Sequence, residues 1–304
     1  MGEINLHDSI SKAYRDLNST RSSKEVDLVG IGKLGQLSIR FLNEGPNFRH
    51  FADMGSREYW IYEPPNWGSD LADLSRPVRP DLLIKDDVEY RELWEEVRDL
   101  CKGQPGSLSH PKLQEIIYTT VVSYACVKDL MTGDRKTPGT LLEIMIESLS
   151  EVLTGLSRGG EITVQDHANI TIDMHLYEEG KKRKLAIPTK TSLRERYVQA
   201  YVHQFLLGSM QKDFDLADFR TALMVIGDTQ RHGDGVKVTC TPGQLGLYHK
   251  YLSQLDAFYY LDPPPPYADN SPFEGPDGKD LQIKEMEDFF RDDLPKYADW
   301  IRQG

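Results

Sequence analysis

The spacing of apolar residues divides the chain into a largely helical first part and a second part rich in strands. Before Gly155, apolar residues recur at helical spacing over residues 10–17, 87–102 and 112–130, and again from Thr137 until Gly155. Thr137 and Pro138 suit the start of that last helix, because proline is tolerated in the first turn. Two shorter apolar runs, residues 26–31 and 37–42, are typical of strands.

After Gly159 and Gly160 the pattern changes to short apolar runs separated by polar turns. The predicted strands are residues 161–164, 169–177, 184–187, 221–227 and 258–261. The predicted helices are residues 193–207, 243–255 and an amphipathic acidic tail, 281–301. The order helix, three strands, helix, strand predicts an α/β fold with a mixed central sheet. We expect an N-terminal region over residues 1–86, a core over 87–266 and a C-terminal extension over 267–304.

An acid and a lysine are placed together by the predicted strands. Asp173 lies within the strand over residues 169–177, Lys190 follows the strand over 184–187, and a polar turn joins the two strands as a hairpin. Metal-assisted hydrolysis of a phosphodiester needs carboxylate ligands for a hard cation, and a lysine can orient the attacking water. Because Asp and Lys flank many hairpins, the pair alone is also consistent with ordinary strand-end charges.

A second carboxylate comes from the helix that starts at Thr137. Glu143 lies on or beside its apolar face, and Glu147 follows one turn later. A carboxylate among core-facing positions needs a partner, which a metal or Lys190 would supply. The alternative is that both are solvated helical acids.

The segment after Lys190 has two interpretations. Arg194, Glu195 and Arg196 open a predicted helix, and Ser192 with Glu195 matches a capping box, in which Glu195 would turn back on the backbone of Ser192. A helix N-terminus in the major groove would instead present Arg to guanine and Glu to cytosine.

Composition narrows the classes of function. The 304-residue chain carries a formal net charge of −12, which weighs against an indiscriminate nucleic-acid binder but not against a specific one. No apolar run is long enough for a membrane helix and no signal peptide is evident, so we expect a cytoplasmic protein. Cys101, Cys126 and Cys240 are far apart and odd in number, and we expect buried thiols.

Together these residues resemble the CCGG/CCNGG group of Type II restriction endonucleases, particularly the EcoRII-like catalytic domain. The resemblance covers residues 135–263. It includes Arg135-Lys-Thr-Pro-Gly139, Leu142-Glu143, Ile172-Asp173 where the family has Pro-Asp, and the segment from Lys190 to Gln199. The last of these is the most specific. The resemblance implies the PD-(D/E)XK restriction-endonuclease-like core.

By this resemblance, Glu143, Asp173 and Lys190 are the catalytic residues, with Asp173 and Glu143 as metal ligands and Mg²⁺ as the cofactor. Arg194, Glu195 and Arg196 would read the CC:GG core. The family usually has a Glu thirteen or fourteen residues after the lysine, where this chain has His203 and Gln204. A nearby carboxylate from elsewhere in the chain, or His203 itself as a ligand or base, would then act in its place.

The resemblance also implies a homodimer that cuts both strands of a palindromic duplex. Some relatives flip a central base onto an aromatic residue, for which Tyr59, Trp60 and Trp67 are candidates, although a packed aromatic loop is the alternative. Two other functions remain open: a repair or recombination nuclease of the same fold, and a site-specific DNA-binding protein without catalysis, which His203 would favour.

Overall fold

The computed structural model describes residues 5–23, 25–63, 75–103, 106–131, 136–164, 168–193, 196–209, 218–268 and 280–304. The chain forms two compact units. The first contains residues 1–104, 110–152 and 229–237, and the second contains residues 105–109, 153–228 and 238–304. Each unit therefore draws on more than one of the three regions expected from the sequence.

The described residues contain the following elements in chain order. The helices are α1 (Leu6–Ser22), α2 (Leu28–Glu44), α3 (Asp87–Cys101), α4 (Leu113–Met131), α5 (Thr137–Thr154), α6 (Tyr197–Ser209), α7 (Pro242–Tyr251), α8 (Pro265–Ala268), α9 (Met286–Asp288) and α10 (Leu294–Arg302), with a π-helical turn over Phe289–Asp293 before α10. The strands are β1 (Asn47–Met54), β2 (Arg57–Glu63), β3 (Ser157–Val164), β4 (Ala168–Tyr177), β5 (Lys184–Ala186), β6 (Thr189–Lys190), β7 (Phe219–Gly227), β8 (Thr229–His232), β9 (Gly235–Val238), β10 (Ala257–Asp262) and β11 (Gln282–Glu285).

The first unit is built around the apolar helix α4. Nearly every residue of α4 is buried, and α2 packs against it. Helix α2 also packs against α1 and α3, while the hairpins β1–β2 and β8–β9 lie in the same unit. The predicted helices α1, α3, α4 and α5 are confirmed to within a few residues.

The two strands predicted over residues 26–31 and 37–42 are wrong, because both segments belong to α2. Gly32 and Gly35, which lie between the two apolar runs, allow close helix packing. A Cβ on Gly32 would overlap the ring of Trp94, and a Cβ on Gly35 would overlap the hydroxyl of Tyr90. Asp27 caps the helix by accepting a 2.7 Å hydrogen bond from the Gly30 amide.

The second unit is built on a mixed sheet with the strand order β11-β10-β7-β5-β4-β3, and β6 also pairs with β7. The pairs β10–β11, β7–β10, β5–β7 and β6–β7 are parallel. The pairs β3–β4 and β4–β5 are antiparallel. The predicted hairpin between the strand of Asp173 and β5 is therefore confirmed.

The central strands β7 and β10 are buried on both faces. Tyr260 and Val225 belong to a core cluster with Tyr201 of α6 and Leu245 of α7. Tyr259, the neighbour of Tyr260 along β10, packs its ring against that of Phe289 at a centroid distance of 5.2 Å. Adjacent residues of a strand point to opposite faces, so both sides of the sheet carry core.

The C-terminal tail is only partly the single helix that the pattern predicts. Residues 282–285 instead form β11, parallel to β10, and the helical part begins at Met286. Pairing with the edge of β10 satisfies backbone groups that would otherwise be exposed. Helix α10 buries Leu294, Tyr297, Ala298 and Ile301, so its apolar face packs within the second unit.

The three cysteines are unpaired and buried, as the sequence predicts. Burial raises the pKa of the Cys101 thiol to about 11. Among the described helices, none is sufficiently long and apolar to cross a membrane.

One buried ion pair of the first unit gives a test of the structure. Asp129 is 2% exposed and accepts hydrogen bonds from Arg76 through both carboxylate oxygens, at 2.7 and 2.9 Å. Asp129→Ala leaves the guanidinium without its partner and should lower the free energy of unfolding by about 3–5 kcal/mol in urea denaturation. Glu44→Ala, which breaks the exposed Arg40–Glu44 pair, should cost about 0.5 kcal/mol or less. Equal losses would contradict the buried pair.

Candidate active site

The strands of the second unit bring Asp173 and Lys190 into direct contact. Strand β4 pairs with β5 through His175 and Ala186, and the amide of Ile187 still donates to Met174 at 2.8 Å. Beyond Pro188 the chain leaves β4, and β6 joins β7 instead. The ammonium nitrogen of Lys190 then lies 2.7 Å from Oδ2 of Asp173. The predicted acid and lysine pair is therefore present.

The two oxygens of Asp173 have different surroundings. Oδ2 accepts hydrogen bonds from the Lys190 ammonium and, at 2.8 Å, from the backbone amide of Thr189. Oδ1 has no hydrogen-bond donor among the residues that the structure describes. The side chains of Asp173 and Lys190 are 28% and 12% exposed, so the pair is reachable from solvent yet partly shielded. Oδ1 of Asp173 is therefore suited to bind a cation or a polarised water.

A small pocket opens next to this pair. Its lining residues are Thr171, Ile172, Asp173, Pro188, Lys190, Gln199, Ala200 and His203. Strands β4 and β6 supply one side of the pocket and helix α6 supplies the other. Gln199 and Thr171 were not singled out by the sequence, which gives no signal that distinguishes them from other polar residues.

His203 and Gln204, the two residues found where the family has Glu, face different surroundings. His203 lines the pocket, whereas Gln204 is 4% exposed and bonds to β7: its amide donates to the Phe219 carbonyl at 3.3 Å, and its oxygen accepts from the Thr221 hydroxyl at 2.5 Å. His203 is therefore the one that lies with the acid and lysine pair.

Electrostatics favour the neutral form of His203. Burial lowers the pKa of the imidazole, the neighbouring Lys190 lowers it further, and Asp173 opposes the shift. A neutral imidazole keeps the lone pair that a metal ligand or a proton acceptor requires.

Glu143 lies in the first unit, on α5, and has a basic partner. Its carboxylate is 2.8 Å from Arg21 of α1, which also binds Glu147 at 2.7 Å. Glu143 is 21% exposed and Glu147 is 7% exposed at the side chain. The partner expected from the sequence was a metal or Lys190. The observed one is an arginine, because α1 and α5 meet within the first unit.

The segment proposed to read DNA is described only in part. Arg194 and Glu195 lie outside the described residues, and so does the capping box of Ser192 with Glu195. Helix α6 begins at Tyr197, later than the predicted start at Leu193. Arg196 is exposed and precedes the helix, with its backbone amide donating to the Leu193 carbonyl at 2.6 Å. Its side chain is accessible to a ligand.

The aromatic candidates for base stacking are largely committed to packing. Tyr59 is fully buried, which excludes it from stacking on an extruded base in this conformation. Trp60 packs 5.0 Å from the ring of Phe48 and donates through its indole nitrogen to Glu58 at 3.1 Å. Trp67 lies outside the described residues. The alternative of a packed aromatic segment therefore holds for Tyr59 and Trp60.

Among the described residues, no group of three or more His, Cys, Asp or Glu side chains forms a metal site. Asp173 and His203 supply two ligand types beside a pocket. The Asp173 carboxylate fits Mg²⁺, which keeps several waters and takes one or two carboxylates together with substrate phosphates, whereas imidazole is a ligand more typical of Zn²⁺ and other transition metals.

The contrast between His203 and Gln204 can be tested through stability. Gln204→Ala removes the partner of a buried hydroxyl and should lower the free energy of unfolding by about 1–3 kcal/mol. His203→Ala should change it by about 0.5 kcal/mol or less, because His203 lines a pocket. Urea denaturation measures both, and a larger loss for His203→Ala would contradict their placement.

Two comparisons with known proteins, by family model and by curated sequence, found no match. Comparison with solved structures found the Type IIP restriction endonuclease Kpn2I, with a TM-score of 0.73, 25% identity and 98% of each chain covered. A complex of the restriction endonuclease PspGI with substrate DNA gave a TM-score of 0.44 and 12% identity, over 71% of this chain and 92% of that chain. This second likeness is too weak to bear on function. The likeness to Kpn2I confirms the predicted fold and the predicted class of enzyme, a site-specific deoxyribonuclease.

Proposed function

We propose that the protein is a Type II restriction endonuclease that hydrolyses both strands of duplex DNA at a palindromic site with a CCGG or CCNGG core. The observation that carries this proposal is the contact between Asp173 and Lys190 at the edge of a pocket, in a chain with the fold of Kpn2I. A carboxylate with one available oxygen beside a lysine is the arrangement that metal-assisted phosphodiester hydrolysis requires.

Asp173 would hold Mg²⁺, and His203 would act beside it as a further ligand or as a base. When bound, the ion neutralises charge on the phosphate and lowers the pKa of a coordinated water. Lys190 holds Oδ2 of Asp173, which leaves Oδ1 for the ion. The same ammonium orients the attacking water and stabilises the negative charge that develops on the phosphorane.

Glu143 is proposed as a further metal ligand, as the resemblance to the EcoRII-like catalytic domain implies. Its ion pair with Arg21, at 2.8 Å, restricts the rotamers of the carboxylate. In this proposal Arg21 is the positioning residue for Glu143.

Sequence recognition is assigned to Arg194, Glu195 and Arg196. Arginine pairs with O6 and N7 of guanine, and glutamate accepts from N4 of cytosine, so the three side chains suit C·G pairs in the major groove. A palindromic site presents the same bases on both strands, and a homodimer reads it with two copies of this segment. The N-terminal region, residues 1–86, would read outer base pairs and support the dimer.

One observation favours a second function. His203 stands where relatives have a carboxylate, which weakens the metal site and suits a protein that binds a DNA site without cutting it. Specific binding in Ca²⁺ together with no cutting in Mg²⁺ or Mn²⁺ would establish that function in place of cleavage.

Plasmid digestion in Mg²⁺, followed by sequencing of the ends, tests the proposal. We expect discrete fragments with a CCGG or CCNGG core at every end.

Asp173→Ala and Lys190→Ala should abolish cleavage and retain site-specific binding, and Arg194→Ala should cost about 1–3 kcal/mol of discrimination. Normal cutting by Asp173→Ala would show that the active site is elsewhere.

Glu143 and Glu147 form a matched pair for testing the second ligand, because both contact Arg21 from the same helix. Glu143→Gln should lower the cleavage rate at saturating Mg²⁺ by about a hundredfold or more. Glu147→Gln should leave the rate within about threefold of the wild type. Equal effects of the two substitutions would assign Glu143 to the Arg21 ion-pair network alone.

A further inference from the structure

Asp228 is a fully buried carboxylate that the proposed reaction does not use. It directly follows β7 and lies in the second unit. Its oxygens accept three hydrogen bonds: from the Leu193 amide at 2.6 Å, from the Thr239 hydroxyl at 3.0 Å and from the Tyr260 hydroxyl at 2.8 Å.

The surroundings of Asp228 supply hydrogen-bond donors but, among the described residues, no ion-pair partner. No Lys or Arg among the described residues forms an ion pair with it, and burial raises its pKa while the three hydrogen bonds oppose that shift. A buried carboxylate without a cation costs free energy that an apolar side chain would not. Retaining one here is consistent with a task that an apolar residue cannot perform, namely accepting a hydrogen bond from the backbone of Leu193.

Leu193 lies between Lys190 of the candidate active site and Arg196 of the segment proposed to read DNA. Its amide donates to Asp228, and its carbonyl accepts from the Arg196 amide at 2.6 Å. On the other side, Lys190 pairs with Val225 of β7. The segment from Lys190 to Leu193 is therefore fixed at both ends to β7 and the residue that follows it.

We infer that Asp228 is a positioning residue that holds the backbone of Leu193, and through the Leu193 carbonyl the amide of Arg196, and thereby supports Arg196 as a side chain that reads DNA. This inference rests on the proposed function. Asp228 acts through Leu193 and contacts no substrate. Tyr260 and Thr239 hold the carboxylate in the orientation that the Leu193 amide requires.

The same unit offers a matched control. Asp293 is 7% exposed and accepts a hydrogen bond from Tyr259 at 2.9 Å, just as Asp228 accepts one from Tyr260, the next residue of β10. The other partners of Asp293 are Lys284 and Lys296, at 2.6 and 3.0 Å. Asp293 therefore shares the burial and a tyrosine partner with Asp228, but its hydrogen-bond partners among the described residues do not include Leu193 or its neighbours.

The experiment compares Asp228→Asn with Asp293→Asn. The probes are duplex oligonucleotides with the sequence that the wild-type protein cuts, and duplexes with one base pair exchanged. For Asp228→Asn we expect the ratio of single-turnover rates between the two kinds of duplex to fall roughly tenfold or more, since both carboxylate oxygens accept hydrogen bonds and an amide offers only one acceptor oxygen. Asp293→Asn should keep the wild-type ratio, even where urea denaturation shows an equal or larger loss of stability.

Tyr260→Phe and Tyr259→Phe provide a second pair in case an Asn variant does not fold. Tyr260→Phe should lower discrimination in the same direction by a smaller factor, and Tyr259→Phe should not. An unchanged ratio for the Asp228 and Tyr260 variants, or an equal fall in the controls, would overturn the inference.

If the wild-type protein binds its site without cutting, the proposed cleavage fails, and the inference is judged by the ratio of binding constants in Ca²⁺. If it neither cuts nor binds DNA, both the proposed function and this inference are rejected.

Discussion

The contact between the Lys190 ammonium and Oδ2 of Asp173 is the interaction on which the candidate site depends. It arises because the hairpin of β4 and β5 opens after Ile187, where β6 leaves β4 and pairs with β7. One carboxylate oxygen is thereby occupied by the lysine and the Thr189 amide, while the other faces no donor among the described residues. The topology of the sheet, and not the pair alone, creates a carboxylate that is held firmly and still has an oxygen for a ligand.

Strand β7 connects this centre with the rest of the second unit. It pairs with Lys190, and Asp228 at its end holds the Leu193 amide. Tyr260 of the neighbouring strand β10 in turn holds Asp228. In the proposed function, catalysis and recognition therefore share the support of the same two buried strands, β7 and β10.

The parts of the site that the sequence predicts are those that local geometry determines. Asp173 and Lys190 are joined by a hairpin, so strand patterns and a polar turn suffice to place them together. The sequence named His203, and not Gln204, as a residue that would act in place of the family's Glu, without showing which of the two faces the pocket. That choice depends on how α6 packs on β7, which no local pattern contains.

The sequence fails where distant segments decide the outcome. The partner of Glu143 is Arg21, on a helix more than a hundred residues earlier in the chain, and no spacing rule connects them. The apolar runs over residues 26–31 and 37–42 are typical of strands, yet Gly32 and Gly35 allow a single helix, α2, to approach the aromatic residues of α3. Asp228 looks like an ordinary strand-end acid until the fold brings the Leu193 amide and the Tyr260 hydroxyl to it.

The central claim is that Asp173 divides its two oxygens between Lys190 and a catalytic metal ion. Anomalous scattering from crystals of the protein grown with its duplex site and Mn²⁺ tests this most directly. The account predicts a Mn²⁺ peak bound to Oδ1 of Asp173 and to the scissile phosphate, with Lys190 still on Oδ2. A Mn²⁺ ion bound at a different set of carboxylates next to the scissile phosphate would contradict it.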